Sequence, residues 1–433
     1  MSTEPLYEAA VDVLRRNDLG GWTRPAPTLY PHQWSWDSAF IAIGLAHLDA
    51  RRALCELETL FAAQWGDGRV PHIVFNPRAG KYFPAPEWWA SADTSPLAPR
   101  APATSGLIQP PVHALALQRI LEVASADLVG RITAVYEKVY AWHRYLATAR
   151  DRSSSGFLTI YHPWESGTDN SPRWDAALKR VHVGSLPAYE RHDLKHVQDV
   201  AERPTMAEYD RYLWLVELLK TAHYDDATIQ REHPFQIQDV LMSAIFAASS
   251  QALSDVAAAL RRPIEEREQL LAWSRRSSLA VQSAWDPELD LALDFDIQAG
   301  PVRVQTCAGL APLLLPGLDV DLRDRATRRL FGSGFAGAER LAFPVVPSTA
   351  PGTPGFQART YWRGPVWPMF NWLMWWGLRQ QGLEHEASSL REANLQLLRR
   401  PESSFAEYLE PFTSEPLGSL DQSWTAALTV DWL

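Results

Sequence analysis

Cysteine is almost missing from this chain. Two residues, Cys55 and Cys307, among 433 cannot build a disulfide framework. Each sits in an apolar helical run (Leu54-Cys55-Glu56-Leu57 and Thr306-Cys307-Ala308-Gly309-Leu310), which predicts buried free thiols. Long apolar segments are missing too. The most apolar stretch, residues 366–378, is too short to cross a bilayer and carries Pro368 and Asn371. The opening segment MSTEPLYEAAVDVLRRND is amphipathic and has no uninterrupted apolar core of a secretory leader. No membrane partner is therefore expected, and the expected location is cytoplasmic. A basic surplus is absent as well: 41 Lys and Arg against 51 Asp and Glu leave a net charge of −10. Nucleic acid, which wants a basic face, is not an expected partner. No Gly/Ser linker, low-complexity tract or strict short repeat divides the chain.

What the chain has is tryptophan, 19 residues of it, several beside polar turn residues rather than in apolar runs. Most of the sequence reads as helix, of two kinds. Amphipathic, charged segments run over 7–16, 50–63, 128–149, 208–222, 264–275 and 383–399. Segments apolar nearly all round run over 36–48, 107–121, 240–253, 306–315, 366–378 and 424–433, and these must be buried on every side. The two kinds alternate, as in a ring of helical hairpins with an outer and an inner layer. Length alone would suggest two or three domains, but the alternation predicts one all-α domain over 1–433, an α/α toroid. Three long loops rich in Pro, Gly, Trp and Tyr, at about 65–105, 153–203 and 332–363, are expected to gather at one mouth, since structureless loops of that length are uncommon unless functional. The period-two run Asp290-Leu291-Ala292-Leu293-Asp294-Phe295-Asp296 predicts a strand of a small β-hairpin there.

Four aromatic-rich segments hold polar residues at their centres. The most informative is Trp164-Glu165-Ser166-Gly167-Thr168-Asp169-Asn170-Ser171-Pro172-Arg173-Trp174-Asp175, a carboxylate in an exposed-turn composition between two indoles. An Asp in such a turn usually does local turn work. A desolvating wall of Trp164 and Trp174 would raise its pKa, as a general acid requires. Glu165 and Asp175, off the centre of the turn, are weaker rivals. Phe405-Ala406-Glu407-Tyr408-Leu409-Glu410 holds a second carboxylate among aromatics; in an extended strand Glu407 and Glu410 face opposite ways, so at most one of them reaches a shared site, and each taken singly reads as a solvated charge. Glycoside hydrolysis needs such a pair, one carboxyl to protonate the leaving oxygen and one to activate water or attack carbon. In Tyr30-Pro31-His32-Gln33-Trp34-Ser35-Trp36-Asp37, Asp37 reads equally as a helix N-cap and as an acceptor for sugar hydroxyls. Tyr361-Trp362-Arg363-Gly364-Pro365-Val366-Trp367-Pro368 reads either as core before a Pro-initiated helix or as a sugar-stacking wall.

In that order, W-D-S-A-F, S-G-T-D-N-S-P-R-W, Y-W-R-G-P-V-W-P and F-A-E-Y followed by S-W-T-A-A resemble the signature segments of glycoside hydrolase family 63, from residue 34 to about 427. Compactness makes the chain most similar to the family's bacterial mannosylglycerate and glucosylglycerate hydrolases. The resemblance implies an (α/α)6 barrel, inversion of an α-glycosidic bond, Asp169 as general acid and Glu407 as general base. Trp36, Asp37, Tyr361, Trp362 and Trp367 would line the sugar subsite with Gln109, joined by Gly167 and Gly364 inside the motifs. Glycerate is an anion and asks for a guanidinium. Arg203, in Glu202-Arg203-Pro204-Thr205, is the first candidate, with a surface salt bridge as its ordinary alternative; it is similar to the Arg-Pro-Thr segment of the glycerate-specific members. Gln422, Tyr82 and Trp88 could donate further hydrogen bonds.

The expected function is hydrolysis of glucosylglycerate or mannosylglycerate to hexose and glycerate, with no cofactor and no metal. A small carbohydrate is the expected partner, and a homo-oligomer is neither required nor excluded. Three alternatives stand beside it: a neutral disaccharide or short oligosaccharide as substrate, a terpenoid-cyclase-like toroid using the acidic stretch 286–296, and a sugar-binding protein without catalysis.

Overall fold

The computed structural model describes residues 4–195, 199–400 and 403–433. The chain is mostly helical. In chain order the first helices are α1 (Glu4–Asn17), α2 (Ser35–Ala46), α3 (Ala50–Ala62), the short α4 (Pro86–Trp89) and α5 (Ser91–Thr94), α6 (His113–Val123) and α7 (Val129–Tyr145). Next come α8 (Asp175–Lys179), α9 (Met206–Thr221), α10 (Asp226–Glu232), α11 (Val240–Ala259) and α12 (Ile264–Ser283). The last are α13 (Val320–Phe331), α14 (Pro368–Gln380), α15 (Glu384–Leu398) and α16 (Ser423–Trp432).

Sequence patterning sorts these helices into two layers. Every residue of α2 is buried, as is every residue of α16 except Asp431, because neither carries a polar face. α11 is long and apolar enough to cross a membrane by composition, yet 89% of that window lies inside the protein. By contrast α1 buries one stripe (Leu6, Ala10, Val13, Leu14) and α3 another (Ala53, Leu54, Leu57, Leu60, Phe61). Each buried element has an amphipathic partner: α2 with α3, α6 with α7, α11 with α12, α14 with α15, α16 with α1, and the 3-10 helix Cys307–Leu314 with α13. Sideways, α2 packs against α6, α6 against α11, α11 against the 3-10 helix, that helix against α14, α14 against α16, and α16 against α2.

Several expectations need correction. Helix α6 starts at His113, not near 107, because consecutive prolines at 110 and 111 remove N–H donors and hold the preceding backbone extended. Segment 307–314 winds as a 3-10 helix with Pro312 inside it. The acidic run is split: Leu291–Ala292 pairs with Trp285–Asp286, whereas Phe295–Asp296 joins Ile237–Gln238 and Gly300–Pro301 in a four-stranded sheet completed by Thr159–Ile160. None of its residues borders the cavity described below. Its carboxylates are taken by arginines, Asp286 by Arg303, Asp290 by Arg325, Asp294 by Arg173 and Asp296 by Arg180. The strand pairs beside the cavity are instead Gln33–Trp34 with Ile73–Val74 and Tyr408–Leu409 with Pro416–Leu417.

Candidate active site

The N-terminal ends of α2, α14 and α16 and the segment leading into α6 open on one cavity of about 140 Å³. Loops close it over: Lys81 to Pro84 from one side, His192, Asp193, Arg203 and Pro204 from another, and the Asp169 turn from a third. Trp36, Trp362, Trp367 and Trp424 form much of its wall. The rings of Trp362 and Trp367 stack 4.0 Å apart at 6°, and Tyr408 continues the stack behind Trp367 at 4.7 Å. Such faces suit the apolar faces of a pyranose ring.

The turn carrying Asp169 is tied down by hydrogen bonds. Ser166 Oγ accepts the backbone N–H of Thr168 at 2.9 Å, Thr168 O accepts the N–H of Ser171 at 3.0 Å and the Trp174 indole at 3.0 Å, and Arg173 donates to Thr168 Oγ1 at 2.8 Å. Asn170 Oδ1 accepts the N–H of Trp362 at 2.9 Å, so this turn and the Tyr361-Trp362 segment hold each other. Gly167 has φ +71°, and a Cβ there would overlap the ring of Trp36. Burial pushes the Asp169 carboxyl up to about 7; Arg203 opposes the rise and Glu407 adds to it. A carboxylic acid still protonated near neutrality can donate a proton to a leaving oxygen.

Glu407 is buried in the wall of the same cavity. Tyr30 donates to its Oε1 at 2.6 Å and Tyr361 at 3.4 Å, while Oε2 accepts the backbone N–H of Ser419 at 3.1 Å. Burial raises its pKa, countered by Arg203 and then by the Tyr30 hydrogen bond. Asp37 is not the N-cap: Trp34 occupies the cap position, and Asp37 sits in the first turn of α2, facing the cavity. Burial raises its pKa well above the ordinary value, and the negative charge of Glu407 adds to the rise.

Arg203 is no surface residue. Its side chain keeps 9% exposure and lines the cavity. Pro204 holds it extended (φ −115°, ψ 161°) just before the Thr205–Glu208 capping box that starts α9. Its guanidinium lies 4.5 Å over the Tyr361 ring, 3.3 Å from Asp193 and 3.4 Å from the Tyr30 hydroxyl. Asp193 is shared with Arg191, whose 2.6 Å contact is the shorter.

The cavity thus brings together Asp169 and Glu407 with Trp36, Asp37, Tyr82, Gln109, Gly167, Arg203, Tyr361, Trp362, Trp367 and Gln422. Trp88 and Gly364 stand outside it. Trp88 packs on Phe83 and Tyr189, and its neighbour Trp89 takes the place at the wall. Gly364 is needed for close approach instead, since a Cβ would meet the backbone of Gln357 at 2.5 Å. Trp174 is buried against Phe235 and Arg173, so the desolvating wall beside Asp169 is Trp164 with other rings. Glu165 is spent on Arg150 at 2.7 and 2.8 Å, Asp175 on Arg363 at 2.7 Å, and Glu410 on the backbone of Phe412 and Thr413. Sequence reasoning missed Tyr30, His72, Lys81, Trp89, His192, Asp193 and Trp424 as wall residues. Tyr30 and Trp424 lie inside segments already singled out; nothing local marks His72, Lys81, His192 or Asp193.

A half-buried Asp169 whose pKa is raised to about 7 and a fully buried Glu407, both facing one aromatic cavity, are the kind of carboxyl pair that glycoside hydrolysis needs. Residues 30–425 match the model of the mannosylglycerate hydrolase MGH1-like glycoside hydrolase domain. The chain belongs to that family, within glycoside hydrolase family 63. It is 46% identical to the glucosylglycerate hydrolase of Mycolicibacterium hassiacum, over 99% of this chain and 97% of that protein. It is 41% identical to the mannosylglycerate hydrolase of Rubrobacter radiotolerans, over 99% and 96%. The crystal structure of the family 63 mannosylglycerate hydrolase from Thermus thermophilus in complex with Tris and D-glycerate superposes with a TM-score of 0.90 at 39% identity, covering 99% of this chain and all (100%) of that one.

Proposed function

We propose that the protein hydrolyses the α-glycosidic bond of glucosylglycerate or mannosylglycerate, releasing hexose and glycerate with inversion. The observation that carries this reading is Arg203, a guanidinium in the wall of the same cavity that Asp169 and Glu407 face. Protonated Asp169 gives its proton to the glycosidic oxygen as the bond to the anomeric carbon breaks. Ionised Glu407 takes a proton from the water that attacks that carbon from the opposite face. The indole wall holds the hexose, Asp37 and Gln109 accept or donate hydrogen bonds to its hydroxyls, and Arg203 pairs with the glycerate carboxylate. The architecture that supports this arrangement is an (α/α)6 barrel: the buried elements follow one another from α2 round to α16, and α16 returns to α2. Hexose release from glucosylglycerate, mannosylglycerate and a neutral α-disaccharide tests the substrate, with efficient turnover expected only for the glycerates. NMR of the first-formed anomer tests the mechanism. The β-hexose is expected, and a first product retaining the α configuration would sink the inverting reading.

A further inference from the structure

We infer that Tyr30 is a positioning residue for the general base and that its hydroxyl joins Glu407 to the guanidinium of Arg203. This rests on the reading of Glu407 as that base. Tyr30 Oη lies 2.6 Å from Glu407 Oε1, 3.2 Å from the Tyr361 hydroxyl and 3.4 Å from Arg203 Nη1. Guanidinium nitrogens only donate and an ionised carboxylate only accepts, while a phenol has one hydrogen to give. The direction of the chain is therefore fixed: Arg203 donates to Tyr30, and Tyr30 donates to Glu407. The donor end and the middle of this chain are braced. Asp193 and the face of Tyr361 hold the guanidinium, and the Tyr30 ring stands edge-on to Trp34 at 5.2 Å.

Two things follow for the base. With Oε1 held by a phenol and Oε2 by the Ser419 backbone, the carboxylate plane cannot swing, so the lone pair offered to water keeps one aim. A short bond from a neutral donor also favours the ionised carboxylate. That matters because Glu407 is buried and shares the cavity with the carboxyls of Asp37 and Asp169; Arg203, Tyr361, Tyr408 and Ser419 are the other groups that act on it.

Tyr30→Phe removes one oxygen and keeps the ring. In the full-length protein, kcat is expected to fall ~10–100-fold, the loss of a hydrogen bond to a charged group. The acid limb of the kcat profile should move up by about one pH unit, while KM changes little. An unchanged melting temperature would show that the fold is kept. If Tyr30 only touched substrate, KM would rise and the acid limb would stay in place, which overturns the inference. Failure of the underlying reading is separate: Glu407→Gln would then retain turnover. An inactive Glu407→Gln beside a Tyr30→Phe with an unmoved limb would discard only the role of Tyr30.

Discussion

What a carboxyl group can do here depends on what surrounds it. Asp169 and Glu407 share one cavity but not one environment. Among the described residues the first has no donor holding its charge except its own backbone N–H, while the second has the phenols of Tyr30 and Tyr361 and the backbone amide and hydroxyl of Ser419. Asp169→Asn and Glu407→Gln are each expected to lower kcat at least ~10³-fold, with circular dichroism unchanged, since acid and base act in the same transition state. The alkaline side of the wild-type profile should belong to Asp169. A general acid works while protonated, so kcat/KM should decline as pH rises through about 7, the value to which burial pushes that group. An initial-rate series from pH 5 to 9 checks it, and a flat profile through pH 8 would contradict the assignment. Arg203→Ala should raise KM for a glyceryl glycoside ~10–100-fold, the value of a charge-assisted pair, and far less for an uncharged glycoside. Equal effects on both would remove the argument for a carboxylate ligand. Of these residues, Asp169, Glu407 and the indoles are legible from composition and turn chemistry. Choosing Trp89 over Trp88 is not, because successive residues of one helical turn point about 100° apart and only the fold says which faces the cavity.

At the scale of elements, the buried helices announce themselves by lacking a polar face. α2, α11, α14 and α16 can be read that way, and their amphipathic partners by one apolar stripe. Helix α13, VDLRDRATRRLF, has a polar and an apolar side like α1, but it is not among the segments read as helix, and only Ala326 and Leu330 of its residues are buried among many charges. The alternating acidic run misleads because period two describes a strand but not its partner, and here two short strands pair in different sheets. Close approach of inner helices is a testable feature. Gly44 of α2 lies so near the Ala427 backbone of α16 that a Cβ would overlap it, whereas Gly130 of α7 has open space around it. Gly44→Ala is expected to cost ~1–3 kcal/mol in a thermal or urea melt by overpacking. Gly130→Ala should hold or raise stability, as alanine does in an exposed helix. Equal effects of the two changes would mean that α2 and α16 can part without cost.

At the scale of the molecule, the last helix is structural for the first. Asn17 of α1 donates to Asp421 O at 2.8 Å and to Ser423 Oγ at 2.9 Å, and α16 lies between α1, α2 and α14. Glu407, Gln422 and Trp424 reach the cavity from this final stretch. Deleting residues 423–433 is therefore expected to lose the cooperative melt of the whole protein and not only its activity, as differential scanning calorimetry would record. A shortened protein that still melts in one sharp transition would refute that dependence. The two-layer arrangement is visible in the sequence because it follows from alternating polarity. Which loops meet is not, since Asp169 and Tyr361 approach through hydrogen bonds of Asn170 and Arg363 that no local pattern encodes. One consequence is optical. Seven of the nineteen tryptophans border a single small cavity, Trp362 and Trp367 in face-to-face contact. The protein's own ultraviolet emission is thus weighted toward the place where a ligand would sit, and occupancy can be followed in the unlabelled enzyme by the colour and intensity of that light.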